Sequence, residues 1–457
     1  MSSIFSSLLL GFLSCRLIFK EEENVSSRFL ANLGIPVGIG ISSIIFIFFN
    51  LLGFTPLLIF LIEIILLIFL ILKVKKLKKA IGQFEWLNLN KLIQSPILLL
   101  AAVIYFYSWM MDAGIFFFDS IAEPHGLWDA WADWNLGAKL ISRDPFGWAK
   151  SFHEMISEDF HTDYPLLQKG FIARCWILAK TETVLVPMIF AFIFTFCTIG
   201  LVASAVAYFT TKTEGLMAGM VLLCTPFFMT MGTSQYADNT VGYFFLATIV
   251  LLTFARSGTT VKPLLLIAAG FTAGLSAWSK NEGLLFILCL FSSQLTLLFF
   301  KNYRELFIEL KYLLFGLIPV LLFIGYYKMV IAPPNQIMIA QGPQTFVKLT
   351  DPLRYLTVYQ WYKMQFTEFG QWALNPWWLF LLGILIKGGI GFRKYNYAFV
   401  SNFTWLLLML LGFFLIEIIT PLDLEFYLST SLHRLFFQLF PSFIFIYFLG
   451  LKNKQTI

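Results

Sequence analysis

Apolar residues along this chain do not alternate with polar ones but gather in long uninterrupted runs, and the polar positions fall in the gaps between them. Runs lie near 4–19, 29–50, 54–72, 95–111, 184–209, 215–231, 239–255, 263–278, 283–300, 312–332, 376–390, 397–419 and 435–451. Most match the length an α-helix needs to cross a bilayer, about 20 residues. Only helices and closed barrels satisfy their backbone in lipid, so runs of this length predict an all-α polytopic membrane protein with about 13 transmembrane helices.

Charge orders these runs. "KVKKLKK" (73–79), "KNYRELFIELK" (301–311), "KGGIGFRK" (387–394) and "KNK" (452–454) are basic and belong on the cytoplasmic side, and alternating spans keep all four on one side. The same alternation sends the long connections 112–183 and 333–375 outside the cytoplasm, together with 232–238, 279–282 and 420–434. Residues 112–183 carry eleven Asp or Glu against six Lys or Arg, the reverse of the cytoplasmic bias, and all four histidines, His125, His153, His161 and His433, fall on this outer side.

Composition agrees with the pattern. The chain has 457 residues, 59% hydrophobic and 13% charged, with 53 Phe, more apolar surface than a soluble core can hide. A net charge of +6 concentrated in short loops reads as topology rather than nucleic-acid binding. Five scattered cysteines imply neither a disulfide framework nor a metal spacing. The apolar first nineteen residues lack a basic region in front, which argues against a cleaved signal peptide. No linker or repeat separates a soluble domain, and "YQWYKMQF" (359–366) in the second outer loop reads as an aromatic segment hugging the membrane surface.

The outer segments hold the candidate chemistry. In "LWDAWADWNLGAKL" (127–140), helical spacing puts Asp129 and Asp133 on one face and spreads Trp128, Trp131 and Trp134 over the other. An interfacial helix with its carboxylates toward the protein fits, and so does an ordinary aromatic belt with solvated acids. "HTDYPLL" then brings together His161, Asp163 and Tyr164. "YADN" supplies Asp238, and "WSKNEG" sets Lys280, Asn281 and Glu282 between two apolar runs, either as a site or as a tight polar hairpin. "HEMISEDFH" (153–161) has metal-capable residues without a recurrent ligand spacing, so a metal is not favoured. Finally "PLDLEFYLSTSLHRLFFQLFP" (421–441) places His433 and Arg434 at the outer mouth of the last span, where an arginine is less expected even if it snorkels.

Acids at the interface, cations at span ends and an aromatic belt suit transfer of a sugar from a polyprenyl phosphate to an acceptor hydroxyl. The hydroxyl needs a carboxylate to take its proton, a role open to Asp129. The leaving phosphate gains negative charge and needs a cation, for which Lys280 and Arg434 are candidates.

These segments, "PHGLWDAWADWNLGAKLISRD", "HTDYPLLQKGFIA", "ADNTVGYFF", "SKNEGLL" and "LSTSLHRLFFQLFP", resemble bacterial membrane proteins related to the dolichyl-phosphate-mannose protein mannosyltransferase family (glycosyltransferase family 39) of the GT-C superfamily. The likeness covers roughly 95–300 and 421–441. It implies a GT-C fold whose long first extracytoplasmic loop contains interfacial helices and the catalytic acid, by position Asp129 with Asp133 as the alternative. It also implies that "HTDYPLL" is the proline-containing segment of that loop and that "SKNEG" lies near the donor phosphate. The chain departs from the family in replacing an adjacent acidic pair with "WDAW", and three predicted spans precede the region resembling the family's first.

The expected organisation is an N-terminal set of hairpins with a basic loop (1–94), a GT-C-like catalytic module (95–311) and a C-terminal membrane module (312–457). Substrate-binding residues are expected to be His161, Asp163, Tyr164, Asp238, Lys280, Asn281, Glu282, His433 and Arg434. The expected partners are membrane lipid, a polyprenyl-phosphate sugar as donor substrate in place of a cofactor, and an acceptor that is glycan, lipid or protein. No Gly-rich phosphate loop points to a nucleotide sugar. The expected location is a bacterial inner membrane with an extracytoplasmic active site. The rival reading is a transporter or flippase of lipid-linked saccharides, for which inverted repeats and matching broken spans are the usual signs. A third is a scaffold subunit in which the polar island is packing.

Overall fold

The computed structural model describes residues 2–22, 25–77, 95–153, 161–258, 260–333, 344–372, 375, 377–391 and 396–452. Most of "HEMISEDFH", the stretch after the first basic loop and part of the second outer loop lie outside them. Among the described residues the chain is all helix, with one isolated bridge between Ile390 and Leu451.

We number the helices α1 (Ser2–Ile18), α2 (Ser27–Leu51), α3 (Pro56–Lys75), α4 (Pro96–Ala122), α5 (Asn135–Arg143), α6 (Trp148–His153), α7 (Leu167–Ala179), α8 (Leu185–Phe209), α9 (Lys212–Leu223) and α10 (Pro226–Thr233). There follow α11 (Ala237–Ala255), α12 (Pro263–Ser279), α13 (Glu282–Gln294), α14 (Tyr303–Tyr326), α15 (Thr345–Thr350), α16 (Pro352–Glu368), α17 (Trp377–Lys387), α18 (Asn396–Ile419) and α19 (Leu424–Gly450). Local chemistry sets several starts. Ser26, Thr55, Ser95, Thr211 and Asp423 each accept a hydrogen bond from a backbone N–H of the first turn, and Pro56 and Pro96 follow two of these caps.

Every predicted apolar run coincides with a helix. Nine helices among the described residues are long and apolar enough to cross a membrane, and α9 with α10, bent by 67°, make a tenth if they count as one span. The shorter apolar helices α1, α12 and α17 occupy the other three runs. The protein is therefore a polytopic membrane protein by length and composition.

Several helices extend past the runs that predict them. α4 continues eleven residues beyond 111, because Asp112 alone does not interrupt a helix and the apolar "GIFFF" follows. The connection after α4 thus begins at Glu123. α19 starts at Leu424, capped by Asp423, so His433 and Arg434 sit inside this helix rather than at its mouth. Hydropathy marks the part of a helix that sits in lipid and misses its amphipathic extension.

α11 is the axis of the bundle, with every residue buried. α12 and α14 cross beside it through Gly270 and Gly316, where a Cβ would meet a carbonyl oxygen of the opposite helix at 1.9 Å. Such close backbone approach is how helices gain contact in lipid, where apolar surface by itself drives little association. Side-chain bonds also run across residue 94. Arg174 on α7 pairs with Glu63 on α3, both buried, and donates to the Ser3 carbonyl on α1 at 2.9 Å. Tyr243 on α11 donates to the Leu33 carbonyl on α2 at 2.8 Å.

Candidate functional site

The polar island sits at the end of the bundle where residues 123–135, 161–168, 234–236 and 280–282 meet Arg434 of α19. The first approaches α11 through Leu127, whose N–H donates to the Ser234 carbonyl at 3.1 Å. Gln235 clamps it there. Its backbone takes a left-handed φ of 61°, its amide donates to the Pro124 carbonyl, and Asn135 and Gln168 bond to it in turn. A non-glycine residue in that region is held by surrounding contacts, and here three segments supply them.

Residues 130–134 form one π turn rather than an α-turn, and the two aspartates of the motif find different partners. Asp133 is buried and accepts from Lys169 Nζ at 2.9 Å. Lys169 also donates to the His161 carbonyl and lies 5.1 Å from the Trp134 ring. Burial pushes the Asp133 carboxyl up, with Lys169 and His161 opposing it. Asp129 instead forms an ion pair with Arg434 Nη1 at 2.7 Å, and its side chain stays 32% exposed. The tryptophans divide as well: Trp128 and Trp131 are exposed, whereas Trp134 is buried and stacks on Tyr164 with 5.5 Å between ring centroids. Of the three indoles on the predicted outward face, Trp134 therefore turns inward.

Arg434 joins the island to α11. Its Nη2 donates to Asp238 Oδ2 at 2.8 Å, Nε reaches the same oxygen at 3.2 Å, and the guanidinium lies 4.7 Å above the Tyr236 ring. Tyr236 in turn accepts from the Asp129 N–H. Asp238, fully buried, also accepts from Lys280 Nζ at 3.0 Å and from Gln438 Nε2 at 2.7 Å. Lys280 completes the chain with Glu282 Oε1 at 2.7 Å. Burial works against the Lys280 charge, but Asp238 and Glu282 outweigh it and hold its pKa above the ordinary lysine value.

The turn that carries Lys280 is tight. Gly283 lies so near the last turn of α12 that a Cβ there would meet the Ala277 nitrogen at 2.3 Å. "WSKNEG" is thus a compact hairpin, and its Lys280, Asn281 and Glu282 face the island. From the same turn Asn281 donates to Asp163 Oδ2 at 3.0 Å and accepts from Lys328 Nζ at 2.7 Å.

Most expected site residues therefore meet: Asp129, Asp238, Lys280, Glu282 and Arg434 in one ion network, Asp163 and Asn281 beside it, Asp133 and Tyr164 beneath. His161 is exposed, its ring 5.0 Å from Tyr164. His433 neighbours Arg434 in sequence but packs its ring on Phe227 at 5.4 Å. The sequence reading missed Lys328, Gln438, Tyr236 and Gln235. The first two had a signal, since each is a lone polar residue in an apolar run. Among the described residues no group of three or more His, Cys, Asp or Glu is placed to hold a metal ion.

The network has three carboxylates, Asp129, Asp238 and Glu282, against two cations, Lys280 and Arg434. Of these three carboxylates Asp129 is the most exposed. No family model, curated protein or solved structure matches the chain.

Proposed function

We propose that the protein is an integral membrane glycosyltransferase of GT-C type, crossing the membrane about thirteen times. It moves a sugar from a polyprenyl phosphate to an acceptor hydroxyl on the extracytoplasmic face of a bacterial inner membrane. The observation that carries the reading is Asp129, the least buried carboxylate of the network, held by an arginine at its rim. In this reaction Asp129 takes the acceptor proton as the acceptor oxygen bonds to the anomeric carbon. The bond from that carbon to the phosphate oxygen breaks, and its electron pair stays on the polyprenyl phosphate, where Arg434 meets the growing charge.

The assay is direct. Purified protein incubated with labelled polyprenyl-phosphate sugars should release free polyprenyl phosphate, with transfer of label to an acceptor or to water. One observation favours the transporter reading, the 67° break between α9 and α10. A transporter would carry the intact donor across proteoliposomes and release no free lipid phosphate.

A further inference from the structure

Both cations of the ion network, Lys280 and Arg434, already have carboxylate partners. Lys280 is closed between Asp238 and Glu282, with 6% of its side chain exposed. Arg434 uses Nε and Nη2 on Asp238, turns one face to Tyr236, and spends Nη1 on Asp129. Within this network an arriving phosphate therefore meets no free positive charge, and carboxylates already outnumber cations. One partner has to give way. Asp238 cannot, being fully buried and bonded also to Lys280 and Gln438. Asp129 can: it is partly exposed, and among the described residues Nη1 of Arg434 is the charged group that pairs with it.

We propose that Asp129 masks a phosphate site on Arg434, and that the donor's phosphate group opens it by taking Nη1 and setting the carboxylate free. This rests on the glycosyltransferase reading for the identity of the ligand, but not for the exchange itself. The exchange gives the reaction an order. While Asp129 is paired, its Oδ2 lies against the guanidinium and is not open to an acceptor hydroxyl. Once phosphate holds Arg434, the same carboxylate is unpaired and turned toward the space an acceptor enters. Donor binding thus prepares the base, and an acceptor arriving alone meets an inactive one.

The test uses binding rather than turnover, with farnesyl phosphate in detergent micelles and inorganic phosphate as separate probes of the purified full chain. Removing the competing carboxylate should strengthen binding: Asp129→Asn is expected to bind farnesyl phosphate roughly five- to tenfold more tightly than wild type, the scale of one partly exposed ion pair. Asp129→Ala should do the same without an amide in place, Asp129→Glu should stay near wild type, and Arg434→Gln should lose binding. Tightening with both probes supports the exchange and places recognition in the phosphate. Tightening with farnesyl phosphate alone supports it and places recognition in a lipid-borne phosphate. Unchanged or weaker binding in both Asp129→Asn and Asp129→Ala overturns the proposal, and would direct the phosphate to Lys328. If wild type releases no lipid phosphate from a sugar donor yet Asp129→Asn still binds more tightly, the glycosyltransferase reading fails while the masked site stands.

Discussion

The two ends of α11 carry two ion networks that look alike in composition and differ in what they leave open. At the first, Asp238 lies in the opening turn of the helix; at the second, Arg256 caps its close. Both placements complement the helix dipole, negative at the N-terminus and positive at the C-terminus. Arg256 pairs with Glu309 at 3.2 Å and bonds Gln294, while Lys301 also reaches Glu309 and lies 4.6 Å from the Tyr397 ring. Arg256, Gln294 and Glu309 are all buried, and two cations share one carboxylate. The Asp238 end has the opposite imbalance and one exposed acid. A closed network ties α11, α13 and α14 together, whereas an open one with surplus carboxylate can meet a substrate.

That contrast can be broken at either end. The largest effect is expected at the closed end, where Glu309→Gln leaves Arg256 buried without its counter-charge, a loss of about 3–5 kcal/mol in stability. Thermal unfolding in detergent would show it, while turnover per folded molecule should stay near wild type. A comparable fall in turnover per folded molecule would erase the distinction between the ends. Asp133→Asn, which strands Lys169 in the same way, should cost about 3 kcal/mol and act on turnover mainly through folding. Arg434→Lys keeps a charge but loses the fork that reaches Asp129 and Asp238 together, so turnover should fall about tenfold with little change in unfolding temperature. Near-full activity would mean that simple neutralisation suffices. Gln438→Met, removing one hydrogen bond to Asp238, should cost about 1 to 2 kcal/mol.

Much of this architecture is legible in the sequence. Uninterrupted apolar runs locate every long helix, since nothing else in a chain stays apolar for a bilayer's width. The basic connections gather at one end, where the acidic turn after α1 joins them through Glu22 and Lys262, and the motifs carrying Asp129, Asp163, Asp238, Lys280 and Arg434 meet at the other. What escaped was register and reach. The π turn at 130–134 sends Asp129 and Asp133 to different partners, although helical periodicity puts them on one face. α4 and α19 run past their apolar cores, which moves Arg434 from a loop mouth into a helix. Lys328 and Gln438 hide in apolar runs because one polar residue barely changes a hydropathy average. The bonds that Arg174 and Tyr243 make to the N-terminal helices join residues far apart in sequence, which no local pattern announces.

The central claim is that the open network works and the closed one holds, and it is tested most directly by measuring turnover and unfolding temperature together for Asp129→Asn. Release of polyprenyl phosphate should fall at least ~100-fold, as for a lost general base, while the unfolding temperature stays close to that of wild type because the carboxylate is exposed. Wild-type turnover, or a large loss of stability that accounts for the missing activity, would contradict it.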